Sequence, residues 1–195
     1  MGSAPAGLAL LHQVAETTDI PLAQFYPTHI NRNPRLLAQG FVFAKAGGTI
    51  DFTTSTTSYD LQHGEVAAAA ALARALEAGI PAMNLTLSSD GNASLPIYND
   101  DGDLLGLQVG SVQSLYQAAR QAITQHKISI SDAICSITAA PAAVLGLKQK
   151  GRIAAGLDAD LVLLRRDDLS IDTVIAKGKL LVQQGEALVK GTFER

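Results

Sequence analysis

The chain has a single cysteine, Cys135, among its 195 residues, so an internal disulfide is excluded and a reducing compartment such as the cytoplasm is the expectation. An excess of positive charge is also missing. Lys and Arg number 15 against 18 Asp and Glu, a formal net charge of −3, which leaves no broad basic field to draw nucleic acid or an anionic membrane. Long apolar runs are absent too: the Ala-rich stretch Val66 to Ala73 falls far short of the roughly 20 residues that span a bilayer, and Arg74 and Glu77 follow it. The apolar start near Leu8 to Leu11 has no basic residues before it, which argues against a signal peptide, and Ala6 stands where a myristoylation pattern after Gly2 wants Ser or Thr. What is present is an apolar share of 47%, ample for a packed core in one or two domains.

The stretch Leu85 to Ser94, LTLSSDGNAS, organises the rest. Leu85, Thr86 and Leu87 alternate as a strand does, and the run delivers Asp90 to the strand's carboxyl end just before Gly91-Asn92. Two readings are open from this stretch alone. Asp90 is either a turn former, as Asp and Asn before Gly commonly are, or a functional carboxylate at the strand end where ligands gather in α/β folds.

Taken in order, Leu8, Leu11, Val14 and Ala15 predict an opening helix, and Leu22 to Ile30 reads as a strand ending at Thr28 and His29. Asn33 as cap and Pro34 in the first turn predict a helix that stops at Gly47-Gly48. Thr49 to Thr53 is a second strand, and Thr54 to His63 is a polar loop that a barrel would hold over its active site. Gly64 to Ala78 is a helix closed by Gly79, and Asn84 to Ser88 is the third strand. Three repeats of strand, polar loop and helix imply a parallel sheet with crossovers. The acidic segment from Leu95 to Gly106 lacks the ligand spacing and terminal Glu of a calcium loop and reads as a solvated turn. Val112 to Ile123 predicts another helix and Ser131 caps the next, which Pro141 interrupts. From Gly151 the pattern changes to short strands at Leu161 to Leu164, Val174 to Ala176, Leu180 to Val182 and Glu186 to Val189, so residues 1–150 and 151–195 are expected to form separate units.

The tail pattern Gly151-x-Ile153-x-x-Gly156-x-x-Ala159-Asp160-Leu161-Val162, with Val174-x-x-Lys177-Gly178 after it and Thr138-x-x-Pro141-Ala142 before it, resembles the amidohydrolase superfamily of metal-dependent hydrolases. A narrower resemblance, to the bacterial isoaspartyl dipeptidase (β-aspartyl peptidase) family, is carried by Pro27-Thr28-His29-Ile30-Asn31-Arg32-Asn33, Gly47-Gly48-Thr49-Ile50-Asp51, Leu87-Ser88-Ser89-Asp90-Gly91-Asn92 and the ending Val189-Lys190-Gly191-Thr192-Phe193-Glu194. It covers nearly all of this chain but only the second half of the family's usual length. The fold it implies is α/β, the last three βα units of a (β/α)8 barrel followed by a small β-sandwich segment.

The resemblance makes His29 and Asp90 metal ligands of a binuclear zinc site, Asp90 also the proton-relaying catalytic residue, and Arg32 and Ser94 the residues that hold a small β-aspartyl dipeptide. The family's His-x-His pair, carboxylated lysine and remaining histidine would fall before Met1. His12, His63 and His126 sit on or beside helices and read as ordinary solvated or packed histidines. Two functions follow: zinc-dependent hydrolysis of β-aspartyl dipeptides, or a non-catalytic half barrel that needs the missing half in trans. Within the superfamily, dihydroorotase, hydantoinase and D-amino-acid deacylase chemistry stay open. A homo-oligomer or a complementing N-terminal half is the expected partner, with no nucleic acid and no membrane.

Overall fold

A computed structural model describes residue 4, residues 6–99 and residues 101–191. Met1, Gly2, Asp100 and the Thr192-Phe193-Glu194 part of the terminal pattern lie outside them. The chain is mixed α/β, and no closed barrel is formed among the described residues.

Helix α1, Ala9–Thr17, follows the predicted periodicity. The predicted strand Leu22 to Ile30 is not one. Leu22–Gln24 is a single 3-10 turn, and the extended segment after it belongs to no strand ladder. Pro27 explains part of this, because proline has no N–H to donate; its carbonyl still accepts from the Asp51 N–H at 3.1 Å. Helix α2, Pro34–Lys45, begins as expected, with the Asn33 carboxamide oxygen accepting from the Leu36 N–H and Pro34 in the first turn. It ends in a left-handed Gly47 whose N–H reaches the Ala44 carbonyl, while the Gly48 N–H reaches that of Phe43.

Strand β1, Ile50–Thr53, pairs in parallel with β2, Leu85–Ser88. Between them Thr54 to His63 is not all loop: Thr57 and Asp60 form a reciprocal capping box that starts a short helix, α3, Ser58–Gln62. His63 therefore ends a helix instead of preceding one. Helix α4, Ala68–Glu77, closes on Gly79 as predicted, with the Gly79 and Ile80 N–H groups bonded to the Leu76 and Ala75 carbonyls.

After Asp90 the chain turns out into an antiparallel hairpin, β3 (Ser94–Tyr98) and β4 (Leu104–Val109), which Gly102 helps to turn with φ +87°. Helices α5 (Gln113–His126), α6 (Ile130–Cys135) and α7 (Ala139–Val144) follow. Ser129, not Ser131, caps α6, accepting from the Asp132 N–H. Pro141 does not break a helix but sits in the first turn of α7, where its missing N–H has no partner to lose. Strands β5 (Leu161–Leu164), β6 (Ile171–Ala176), β7 (Lys179–Gln183) and β8 (Glu186–Ala187) form one antiparallel sheet in chain order. The Tyr116 hydroxyl and Arg120 Nε of α5 bond to the Leu169 and Asp168 carbonyls in the β5–β6 turn.

The β1–β2 pair has two unlike faces. Ile50, Phe52, Leu85 and Leu87 join Leu36, Leu37, Phe43 and Leu72 of the flanking helices in the main core. The other face carries Asp51, Thr53, Thr86 and Ser88, and the first three are fully or almost fully buried. Thr86 Oγ1 and Ser88 Oγ donate to the two Asp51 carboxylate oxygens at 2.8 and 2.6 Å, and the Tyr26 hydroxyl lies 2.5 Å from Thr86 Oγ1. The two strands are held in register on both faces, by packing on one and by a hydroxyl ladder on the other.

Burial pushes the Asp51 carboxyl up to about 6 despite the two hydroxyl donors. Between about pH 4 and 6 the folded chain then keeps a proton that the unfolded chain gives up. This contribution to stability is complete below about pH 4 and is lost as pH rises through 6, by about 3 kcal/mol. Asp51→Asn removes the ionisation, and rotating hydroxyls accommodate the amide. The expected result in urea titrations is that the wild type loses stability relative to Asp51→Asn between pH 4 and 7. Parallel pH curves would contradict it.

Candidate active site

At the carboxyl end of β1–β2 four segments meet: the His29 to Arg32 turn, the Thr53 to Thr57 connection, the Asp90 turn and the Glu65-Val66 lead into α4. His29 and Asp90 both have left-handed backbones, with φ of 60° and 47°. Non-glycine residues adopt this region at a cost and do so where surrounding structure fixes them. At His29 the fixing residue is Asn31, which is fully buried. Its Nδ2 donates to the Thr53 and Val66 carbonyls at 3.0 and 2.8 Å, and its Oδ1 accepts from the Thr53 N–H at 2.8 Å. The Val66 N–H returns a bond to the Asn31 carbonyl at 2.9 Å. One side chain thus ties the His29 turn to the end of β1 and to the start of α4.

At Asp90, glycine provides the room. The Asn92 N–H bonds to the Gly110 carbonyl and the Gly110 N–H to that of Ala93, so the base of the hairpin closes on the turn. A Cβ on Gly110 would stand 2.4 Å from the Asp90 carbonyl oxygen, closer than any side chain tolerates.

His29 and Asp90 face each other: His29 Nε2 lies 3.2 and 3.1 Å from the two Asp90 carboxylate oxygens. Arg32 Nη2 lies 3.1 Å from His29 Nδ1. Because a guanidinium only donates, Nδ1 is the acceptor, which puts the ring proton on Nε2, toward Asp90. The Thr53 and Ser55 hydroxyls, 2.7 Å apart, both stand within donating distance of Asp90 Oδ2, at 3.1 and 2.9 Å. Burial works to raise the Asp90 carboxyl, but the Ser55 hydrogen bond, the His29 ring and Thr53 together hold it below its ordinary range. The result is a carboxylate that stays ionised while partly shielded from water, able to hold a cation or to take a proton from an acidic group beside it.

His29, Arg32 and Asp90 are therefore in one cluster. Ser94 is not: it lies exposed at the start of β3, and among the described residues no hydrogen bond joins it to the other three. Sequence reasoning missed Asn31, Thr53, Ser55 and Glu65 as parts of the site, since their roles come from contacts across the chain. His12 lies edge-on to Phe43 and His63 stacks on Tyr59, both as packed side chains.

The donor types at His29 and Asp90 suit zinc, but a catalytic zinc takes about three protein ligands. Among the described residues no group of three or more His, Cys, Asp and Glu is arranged to hold a metal ion. These two residues by themselves do not complete a metal site.

Residues 62–181 match the profile of the Amidohydrolase family. Over 98% of its length the chain is 36% identical to a β-aspartyl dipeptidase from the thermophilic keratin degrader Fervidobacterium islandicum AW-1, solved in complex with β-Asp-Leu dipeptide, with a TM-score of 0.83 and 48% of that chain covered. A second structure of a β-aspartyl dipeptidase from the same organism gives 32% identity, a TM-score of 0.79 and coverage of 98% and 46%. An N-acetylglucosamine-6-phosphate deacetylase from Thermotoga maritima shares the fold at 19% identity and a TM-score of 0.54, covering 75% of this chain and 41% of that one. The chain spans about half the length of the β-aspartyl dipeptidases it matches.

Asn31→Ala leaves two buried carbonyls and one buried N–H without their partner. The expected loss of stability in chemical denaturation is about 3 kcal/mol, and Asn31→Asp, which sets an oxygen against two carbonyls, is no better tolerated. A loss under about 0.5 kcal/mol would show that the clamp contributes nothing net.

Proposed function

The chain belongs to the amidohydrolase family, and from that premise we propose that it forms the second half of a zinc-dependent hydrolase of β-aspartyl dipeptides. The contact of His29 with Asp90, with Arg32 against the same imidazole, carries this reading. The parallel β1–β2 pair with its helices is read as consecutive βα units of a (β/α)8 barrel, whose catalytic groups collect at the carboxyl ends of the strands. The further metal ligands would come from the part of the relatives' length that this chain does not cover.

Amidohydrolases are generally metal-dependent, and zinc, when bound, would acidify a water for attack on the amide. This chain's own residues have other tasks. Asp90, ionised and held by Thr53 and Ser55, accepts the proton of the attacking water and passes it to the departing amine. Arg32 grips a substrate carboxylate with a two-pronged charge-assisted hydrogen bond. Ser94 would take part only when the hairpin and the substrate meet, since its hydroxyl is exposed and apart from the cluster.

A second reading is that these residues by themselves are a non-catalytic half that works only together with the remainder of the fold; it is supported by the described residues, among which no three metal donors come together. The exposed side chains of Leu105, Leu107 and Val109 on β4 support association, either with that remainder or with further copies. No helix among the described residues is long and apolar enough to cross a membrane.

In a protein that restores the uncovered half, zinc-dependent turnover of β-Asp-Leu is expected, and Asp90→Asn is expected to lower kcat by about 100-fold or more. Turnover unaffected by Asp90→Asn, or faster turnover of a cyclic imide or an N-acyl amino acid, rejects the proposed chemistry. For the chain alone, size-exclusion chromatography with metal analysis separates the two readings. An assembled species without tightly bound zinc is expected, and a soluble monomer holding two zinc ions would defeat the half-site reading.

A further inference from the structure

Glu65 lies just before α4 with its carboxylate almost out of solvent, at 5% side-chain exposure. A buried carboxylate is costly unless something compensates it. Thr56 Oγ1 donates to Glu65 Oε1 at 2.6 Å, and Arg32 is the cation beside it, with Nη1 3.9 Å from Oε2. The backbone leaves this pair little freedom. The Glu65 N–H bonds to the Asp60 carbonyl, and the two bonds between Asn31 and Val66 hold the neighbouring residue against the turn that carries Arg32.

Arg32 thereby lies between two groups, hydrogen-bonded to the His29 ring at Nη2 and drawn at Nη1 by the charge of the Glu65 carboxylate across 3.9 Å, while 39% of its side chain stays exposed. An arginine left free would lose considerable rotamer entropy on gripping a ligand, and one fixed beforehand loses less. The connection between β1 and α3 also reaches Asp90 directly, through Ser55, and Arg32 indirectly, through the bond of Thr56 to Glu65.

We propose that Glu65, steadied by Thr56, is a positioning residue that presets the Arg32 guanidinium to receive a carboxylate of the substrate. This rests on the reading of Arg32 as a substrate-binding residue. Glu65 touches no reacting atom. It sets the direction of the guanidinium fork, so its removal affects binding more than the chemical step.

The test has one arm that needs no activity. In the 15N-labelled chain, the Arg32 guanidinium is expected to give separate, slowly exchanging Nε–H and Nη–H signals. Glu65→Gln keeps the size of the side chain and an acceptor for Thr56 but removes the charge, and is expected to speed that exchange by about tenfold; Thr56→Val, with the carboxylate kept, has a smaller effect in the same direction. In the protein that restores the uncovered half, Glu65→Gln is expected to raise KM for β-Asp-Leu by about tenfold with kcat within about twofold, and to add little to Arg32→Lys. Unchanged Arg32 signals in folded Glu65→Gln overturn the proposal, as does a fall in kcat with KM unaltered. Faster Arg32 exchange without turnover of β-Asp-Leu in the wild type would uphold the positioning role and remove the substrate reading instead.

Discussion

The site depends on Asn31 more than on any charged residue. A left-handed backbone at His29 is intrinsically unfavourable, and three hydrogen bonds from one buried carboxamide keep it, by joining the turn to the last residue of β1 and to the lead into α4. Its carboxamide can give two donors and one acceptor at once, and the two carbonyls and one N–H it meets are the complement. With that clamp in place His29 faces Asp90, and Arg32, one residue beyond the clamp, falls between His29 and Glu65. Tight packing supports it from outside: a Cβ on Gly40 of α2 would come within 2.3 Å of the Ile30 side chain, so the helix lies directly against this turn.

Around the clamp, the division of β1 and β2 into an apolar and a polar face turns a small sheet into a platform. The apolar face anchors it to α2 and α4. The polar face carries two hydrogen-bonded groups, Tyr26, Thr86, Asp51 and Ser88 below and Thr53, Ser55 and Asp90 above, which adjoin where Thr53 and Ser88 pair across the strands. Charge is placed unevenly along it. Burial raises Asp51 so that it is protonated more readily than an ordinary carboxyl, while hydroxyl and imidazole partners keep Asp90 ionised. Two carboxyls a few residues apart in space so acquire opposite tendencies from their surroundings.

Local chemistry was legible in the sequence. Asn33 and Pro34 start α2, and Gly47 and Gly79 end α2 and α4, because caps act through the nearest four or five residues. The meeting of His29 with Asp90 was expected from the family resemblance, with both read as strand ends; the two side chains do meet, although the segment before His29 is no strand. Other local signals were present and misread: Thr57-x-x-Asp60 and Ser129-x-x-Asp132 both have cap spacing and start α3 and α6. The segment from Leu22 to Ile30 looked like a strand by composition, but strand identity is set by a ladder partner, and the bond from the Asp51 N–H of β1 to the Pro27 carbonyl does not extend into a ladder. Asn31 and Glu65 had no signal of their own. Asn31 acts on residues 22 and 35 positions away, and Glu65 acts on an arginine brought to it only by the fold.

The central claim is that His29 and Asp90 are two ligands of one metal centre completed by the other half of the fold. Anomalous diffraction at the zinc edge, from crystals of a protein that joins this chain to the uncovered half, tests it most directly. The account predicts a zinc peak at about 2.0–2.2 Å from His29 Nε2 and from an Asp90 carboxylate oxygen, with the direct contact between the two side chains replaced and, because the ring proton then sits on Nδ1, the Arg32 bond to that nitrogen released as well. Zinc bound elsewhere while His29 still bonds to Asp90 would contradict it.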